Sequence, residues 1–212
     1  IVIVNHHLYF ADRATRLRGG SILPAHDVAI FDEAHAVEEI AIEFFSTAVS
    51  SARVGRIVDD SLSALQKAQN TGKAHSAKLA NSAKELAFSF FSGFRGNSEG
   101  RARLTPADLS SQSRDHYHRL DSALEALVFS MELVDKEPLI ESASERLKTL
   151  RSDFDKVLNP SNAKTVHWVE NRSRSVLIGA SPIDVRDRLR DGILFSVPSV
   201  IFTSATLSID GD

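Results

Sequence analysis

Between residues 51 and 158 the apolar side chains recur at intervals of three and four. Val54, Ile57, Val58, Leu62 and Leu65 form one stripe, and Leu79, Ala83, Leu86, Ala87, Phe90, Phe91 and Phe94 a second. Leu120, Leu124, Leu127, Val128, Met131 and Val134 form a third, and Leu139, Ala143, Leu147, Leu150, Phe154 and Val157 a fourth. That spacing puts successive apolar groups on one face of an α-helix. Four such faces, joined by polar loops, predict a helical bundle around a shared core. The phenylalanine stripe belongs to that core rather than to a ligand site, because Phe is among the most buried residue types.

The flanks follow a different rule. "IVIVN" at 1–5 and "VAIFD" at 28–32 are short apolar runs rich in β-branched and aromatic residues, which predicts buried strands. A helix is expected through "HLYFADRATRL", a loop through "RGGSILPAHD", and a second helix from Ala34 to Phe45. After 162 the pattern turns extended again. "TVHWVE" and "SVLIGASP" predict strands, "IDVRDRLRDGIL" a helix of about three turns, and "SVIFTSATL" at 199–207 another apolar strand. Continuous apolar strands predict a parallel sheet covered on both faces. The fold class expected is therefore α/β at both ends with a large all-α bundle inserted. The boundaries fall at 1–48, 49–163 and 164–212.

Composition narrows the function classes. A net charge of −3 over 212 residues argues against coating nucleic acid through bulk charge, so any such binding needs a local groove. Without cysteine, the chain forms no disulfide, zinc–thiolate site or iron–sulfur cluster from its own residues. No apolar run approaches the ~20 residues of a membrane helix. The chain opens inside an apolar run without Met, which we read as a piece of a longer protein.

Chemistry concentrates where "VAIFDEAH" ends. A carboxylate at the end of a strand in a parallel sheet projects into the ligand crevice. Asp32 there suits Mg²⁺ beside nucleotide phosphates, and Glu33 suits orienting and deprotonating a water. The plainer alternative is that the pair only caps the helix that follows. Asn5, His6 and His7, taken with Asp32 and His35, are rich in metal donors, but their spacing matches no ligand pattern.

The second apolar strand decides between those readings. "DEAH" at 32–35 and "SAT" at 204–206 resemble motifs II and III of superfamily 2 helicases. "IVIVNHHLYFAD", "AIFDEAH", "HWVE", "ASPIDV" and "VIFTSATLS" follow the order and context of the DinG family, bacterial relatives of the XPD-type DNA helicases. "SAT" in place of "SGT" points to the DinG side. The matched segments cover roughly 1–45 and 165–210, and the bundle corresponds by position to the family's arch domain. Helicases of the DEAH RNA group carry no helical insert of that size between these motifs.

The resemblance implies an ATP- and Mg²⁺-dependent DNA helicase, bacterial, cytoplasmic and nucleoid-associated. It would move 5′→3′ on single-stranded or forked DNA. Asp32 would coordinate Mg²⁺, Glu33 would activate water, and His35, Ser204 and Thr206 would link the nucleotide site to the DNA track. The family's phosphate loop lies upstream of residue 1 in this numbering. "TGKAHS" at 71–76 does not replace it, because the phosphate-loop pattern requires Gly and Ser or Thr where this chain has Lys67 and Ala74. These residues alone are therefore expected to be inactive. Many members also carry an iron–sulfur cluster in the parent protein, just before this segment, and some carry a nuclease domain.

For DNA contact the resemblance points to Asn5, His6 and His7. The loop 95–119 adds Arg101 and Arg103, in a window of five arginines against three acidic residues. Arg172 and Arg174 lie close in sequence to Trp168. Such arginines serve phosphates or simply a solvated surface. The rival to a motor segment is a non-catalytic arch that binds nucleic acid or a protein as a scaffold.

Overall fold

The computed structural model describes residues 1–16, 19–68, 73–96, 99–134, 137–159, 164–194 and 196–205. In chain order the elements are α1 (His6–Arg16), β1 (Val28–Phe31), α2 (His35–Phe45), β2 (Thr47–Ser50), α3 (Ser51–Lys67), α4 (Lys73–Ser92) and β3 (Gly100–Arg103). They continue with α5 (Ser111–Glu132), α6 (Pro138–Leu158), β4 (Thr165–Arg172), β5 (Ser175–Pro182), α7 (Arg186–Leu189) and β6 (Ser199–Phe202). α7 runs on into a wider π-type turn, Arg190–Leu194.

The chain divides into two compact units. One is Ile1–Ser46 with Ser181–Asp212, and the other is Thr47–Ala180. The return point therefore lies at Ser181, later than the expected 164. The reason is strand pairing. β5 pairs antiparallel with β2, with Thr47 opposite Ala180, and β4 pairs antiparallel with β3, giving the sheet order β2-β5-β4-β3. "TVHWVE" and most of "SVLIGASP" thus complete the helical unit.

Within that unit α3 packs on α4 and α6, and α5 packs on α4 and α6, closing a ring of four helices. The predicted stripes line its core, with one correction. Leu139 is 56% exposed and Ile140 only 3%. The true stripe is 140, 143, 147, 150, 154, 157, a strict alternation of three and four that position 139 breaks. Phe90, Phe91 and Phe154 meet edge-on or tilted at centroid distances of 5.1–6.1 Å, deep in the core. Helix starts are set by short polar side chains: Ser50 Oγ accepts Arg53 N–H, and Ser110 Oγ accepts Ser113 N–H. Arg53 also donates to Asp153 (2.6 Å) and to the Ala48 carbonyl (2.8 Å), tying α3 to α6 and β2.

Trp168 lies across the sheet and is buried. Its indole covers Gly179 of β5 so closely that a Cβ built there would overlap Cζ2, Cε2 and Cη2 of the ring. The Arg101 guanidinium sits 4.0 Å from the centre of the indole.

In the other unit β1 and β6 pair in parallel, Val28 opposite Ser199 through Phe31 opposite Phe202. One face carries Ala29 and Phe31 into a cluster with Tyr9, Phe10, Val37 and Ala41 from α1 and α2. Phe31 is its centre, stacked on Phe202 (5.3 Å) and His6 (5.9 Å) and edge-on to Tyr9 (5.0 Å). The other face leaves Val28, Ile30 and Ile201 exposed. The sheet is therefore covered on one face among the described residues, not on both. "IVIVN" is also not a strand here. Ile1, Val2 and Ile3 are exposed, with no paired strand among the described residues, and Asn5 instead caps α1 by accepting Leu8 N–H at 2.8 Å.

Asp12, fully buried, organises the loop before β1. It accepts Arg16 Nε–H at 2.6 Å and the N–H groups of Ile22 and Leu23 at 2.7 Å each. Burial pushes its carboxyl up, but Arg16 and the two backbone donors outweigh that and hold it below the ordinary aspartate value.

Two outcomes follow from this packing. Gly179→Ala should lower unfolding stability by about 1–3 kcal/mol through overpacking against the indole. Fluorescence of Trp168, the chain's single tryptophan, should report the loss in urea titrations. Unchanged stability would mean that the ring does not lie on β5. Asp12→Asn should cost about 1–3 kcal/mol at pH 7. Because the folded carboxyl is depressed, its contribution is complete above the ordinary aspartate range near 4 and drains as pH falls through the lower folded value. The gap between wild type and variant should therefore narrow from pH 5 to pH 3 in circular-dichroism melts.

Candidate functional site

The parallel register ends both strands at the same level, so the residues after Phe31 and after Phe202 are neighbours. Thr203 N–H donates to the Phe31 carbonyl at 2.8 Å, and Ala34 N–H donates to the Thr203 carbonyl at 2.9 Å. These two bonds continue the sheet ladder past its last paired residues. They join segments far apart in sequence and place "DEAH" beside "TSA".

Side chains then add a second layer of contacts. Thr203 Oγ1 donates to Asp32 Oδ1 at 2.9 Å, and Glu33 N–H donates to the same oxygen at 3.0 Å. His35 Nδ1 lies 3.2 Å from Ser204 Oγ and 3.3 Å from Glu33 Oε2. One ring nitrogen is thus shared by the acid of one segment and the hydroxyl of the other. Carrying the proton, it donates to Glu33 or Ser204. Without the proton, it accepts from Ser204. Asp32, Glu33 and His35 are all exposed, so their polar ends reach solvent.

The backbone at Glu33 is unusual. It has φ +51°, the only non-glycine residue with positive φ among those described. Left-handed backbone is uncommon for a residue with a Cβ. Helix α2 has no side-chain cap at Ala34, and neither Asp32 nor Glu33 caps it. The plain explanation of the acidic pair as a helix cap therefore does not hold.

The remaining predicted residues fall into separate groups. Asn5 is the α1 cap, His6 stacks on Phe31, and His7 lies 3.7 Å from Glu43. No group of three or more metal-donor side chains occurs among the described residues, so the metal reading of Asn5, His6 and His7 has no geometric support. In the other unit Arg101 and Arg172 both bind Glu170, at 2.6 Å and 2.5 Å. Those two arginines hold the Glu170 carboxyl below its usual range. Arg103 and Arg174 are exposed and form no ion pair among the described residues. Thr206 lies outside the described residues, as do Thr71 and Gly72 at the start of "TGKAHS"; the rest of that segment opens α4.

The sequence reading missed Thr203. It precedes the recognised motif by one position, and its threonine side chain at the end of an apolar strand was the available signal.

No family model matches the chain. Two curated proteins do, along all of it. One is the ATP-dependent DNA helicase YoaA of Escherichia coli (strain K12), 30% identical over 219 residues. The other is the protein of that name from Haemophilus influenzae, 24% identical over 216 residues. The chain spans 33% of the length of each. Among solved structures, Xpd4 of S. tokodaii aligns with 97% of this chain and 40% of its own, at 15% identity and a TM-score of 0.43. Among the described residues no helix is long and apolar enough to cross a membrane.

Proposed function

We propose that this chain, which belongs to the DinG family of DNA helicases, forms the middle of an ATP-driven motor that translocates 5′→3′ on single-stranded DNA and opens duplex. In this reading the unit of β1 and β6 is part of the first motor domain, and the helical unit is the arch inserted into it. The observation that carries the reading is the hydrogen-bonded seam between "DEAH" and "TSA" at the ends of two parallel strands.

The residues present fit a nucleotide-bound Mg²⁺. That ion takes only one or two protein carboxylates and fills its other positions with water and phosphate oxygens. Asp32 is one exposed carboxylate at a strand end, which suits that chemistry. When bound, the ion would neutralise charge on the phosphates. Asp32 would hold it. Glu33, held out by its left-handed backbone, would orient the attacking water and take its proton. His35 Nδ1, shared between Glu33 and Ser204, would transmit the state of that carboxylate to the β6 segment. Movement of one proton or one rotamer would change the partner of the ring, which is the kind of switch a phosphate-sensing motor requires.

A second reading is favoured by the helical unit, which closes around its own core. It would act as a binding arch whatever the state of the motor. Salt-dependent binding of single-stranded DNA by these 212 residues alone would support it.

ATP hydrolysis by the full-length protein should rise with single-stranded DNA and fall at least about a hundredfold in Glu33→Gln, the scale of a lost general base. These residues alone should show no turnover, because no phosphate loop lies within them. Equal hydrolysis in wild type and Glu33→Gln would remove Glu33 from the chemistry. For the DNA track, Arg103→Glu with Arg174→Glu should weaken single-strand binding. The log–log salt slope should fall by roughly 0.7 per lost phosphate contact. Arg101→Ala should act chiefly on stability, since Arg101 is held by Glu170 and Trp168. A salt slope unchanged in the double variant would place the track elsewhere.

A further inference from the structure

We propose that Thr203 is the positioning residue for Asp32, engaging Oδ1 of the carboxylate so that Oδ2 is kept for the cation that accompanies a nucleoside triphosphate. This rests on the reading of Asp32 given under the proposed function.

Thr203 makes three links to the other strand, and they differ in what they demand of the side chain. Its N–H to the Phe31 carbonyl and its carbonyl to Ala34 N–H are backbone bonds that any residue other than proline would form. Only the hydroxyl is particular to threonine. Oγ1 lies 2.9 Å from Asp32 Oδ1, against 3.4 Å from the Phe31 carbonyl, so the carboxylate is the nearer acceptor.

The second donor on Oδ1 is Glu33 N–H at 3.0 Å. Both donors fall on one oxygen, and among the described residues none falls on Oδ2. Two bonds to one oxygen from opposite sides of the seam fix the rotation of an otherwise exposed carboxylate. They also divide its acceptor capacity, with Oδ1 committed to protein and Oδ2 left free. A magnesium site built on a single protein oxygen gains from having that oxygen aimed in advance. Threonine suits the task because its β-branched side chain is stiff at χ1, so the hydroxyl is already directed before any ligand arrives.

The seam also explains why the hydroxyl comes from β6 and not from the strand that carries Asp32. A donor on the second strand makes the aim of the carboxylate depend on the register between β1 and β6. A shift of "TSA" relative to "DEAH" would release Oδ1 while the backbone of "DEAH" stayed in place.

The test is binding of a fluorescent, non-hydrolysable ATP analogue to the full-length protein, with Mg²⁺ or Mn²⁺ as the titrant. Thr203→Val keeps the shape and removes the donor. It should need about three- to tenfold more metal for half-maximal binding, the scale of one hydrogen bond. Binding in the absence of metal should be unchanged, and Thr203→Ser should return to within about twofold of wild type. A purely structural role would move metal-free binding as well. An equal metal requirement in Thr203→Val and wild type overturns the proposal and leaves the helicase reading standing. Wild-type binding that ignores metal overturns both. If Thr203→Val does not fold, Thr203→Ala against Thr203→Ser decides in the same way, with equal metal requirements overturning the proposal.

Discussion

The parallel pairing of β1 with β6 is the constraint on which the rest depends. A parallel pair always needs a long crossover, and here the crossover, residues 32–198, contains the whole of Thr47–Ala180. Joining strand ends across so many residues is less costly than it looks. Loop-closure entropy grows only with the logarithm of length, at about 0.6 kcal/mol per doubling. The helical unit lowers even that cost, because its first strand pairs with its last and Thr47 lies opposite Ala180. Its entry and exit points are neighbours by its own hydrogen bonds. An insert with adjacent ends is, for the host sheet, equivalent to a short loop.

That arrangement explains which parts of the fold were legible in the sequence. The four helices were legible because periodicity is a local property, and their cores follow it residue by residue. β2 and β3 were not. "TAVS" is short, and "GRAR" has no large apolar residue and none that is buried. β3 is a strand because β4 offers it Asn171, Glu170, Val169 and Trp168 as partners, with Arg101 bound to Glu170. The reverse error occurred at "IVIV", which has strong strand propensity and no pairing strand among the described residues. Propensity describes readiness for a sheet, whereas pairing is tertiary. Leu139 was misassigned for a smaller reason. Two adjacent apolar residues at a helix start give the periodicity two phases to choose from, and only Ile140 continues the three–four alternation.

The candidate site divides in the same way. Asp32, Glu33, His35 and Ser204 were identified from short motifs, and the fold brings all four together. The arginines were identified from charge counting, which treats every guanidinium alike. Arg101 and Arg172 share one carboxylate, and Arg101 also covers an indole. Arg103 lies two residues beyond Arg101 on the same face of β3, opposite Trp168, and Arg174 sits on the turn between β4 and β5. A window sum cannot separate arginines held by protein from arginines left for phosphate, because partner choice depends on strand register.

Glu33 carries a feature that no motif reading contains. A left-handed φ on a residue with a Cβ costs on the order of 1–2 kcal/mol. That cost persists only where the surroundings fix the backbone on both sides. Here they do. Its own N–H is held by Asp32 Oδ1, the next N–H is held by the Thr203 carbonyl, and its carbonyl accepts Ala36 N–H at the start of α2. Glycine would relieve the strain but would remove the carboxylate. Asparagine tolerates this region more readily but carries no base. The position thus keeps a long acid where backbone energetics favour glycine or a short polar side chain. The strained turn directs that acid into solvent at the end of the sheet, beside the imidazole that links it to the second strand. In the proposed function, the strain retained at Glu33 serves the position of its carboxylate.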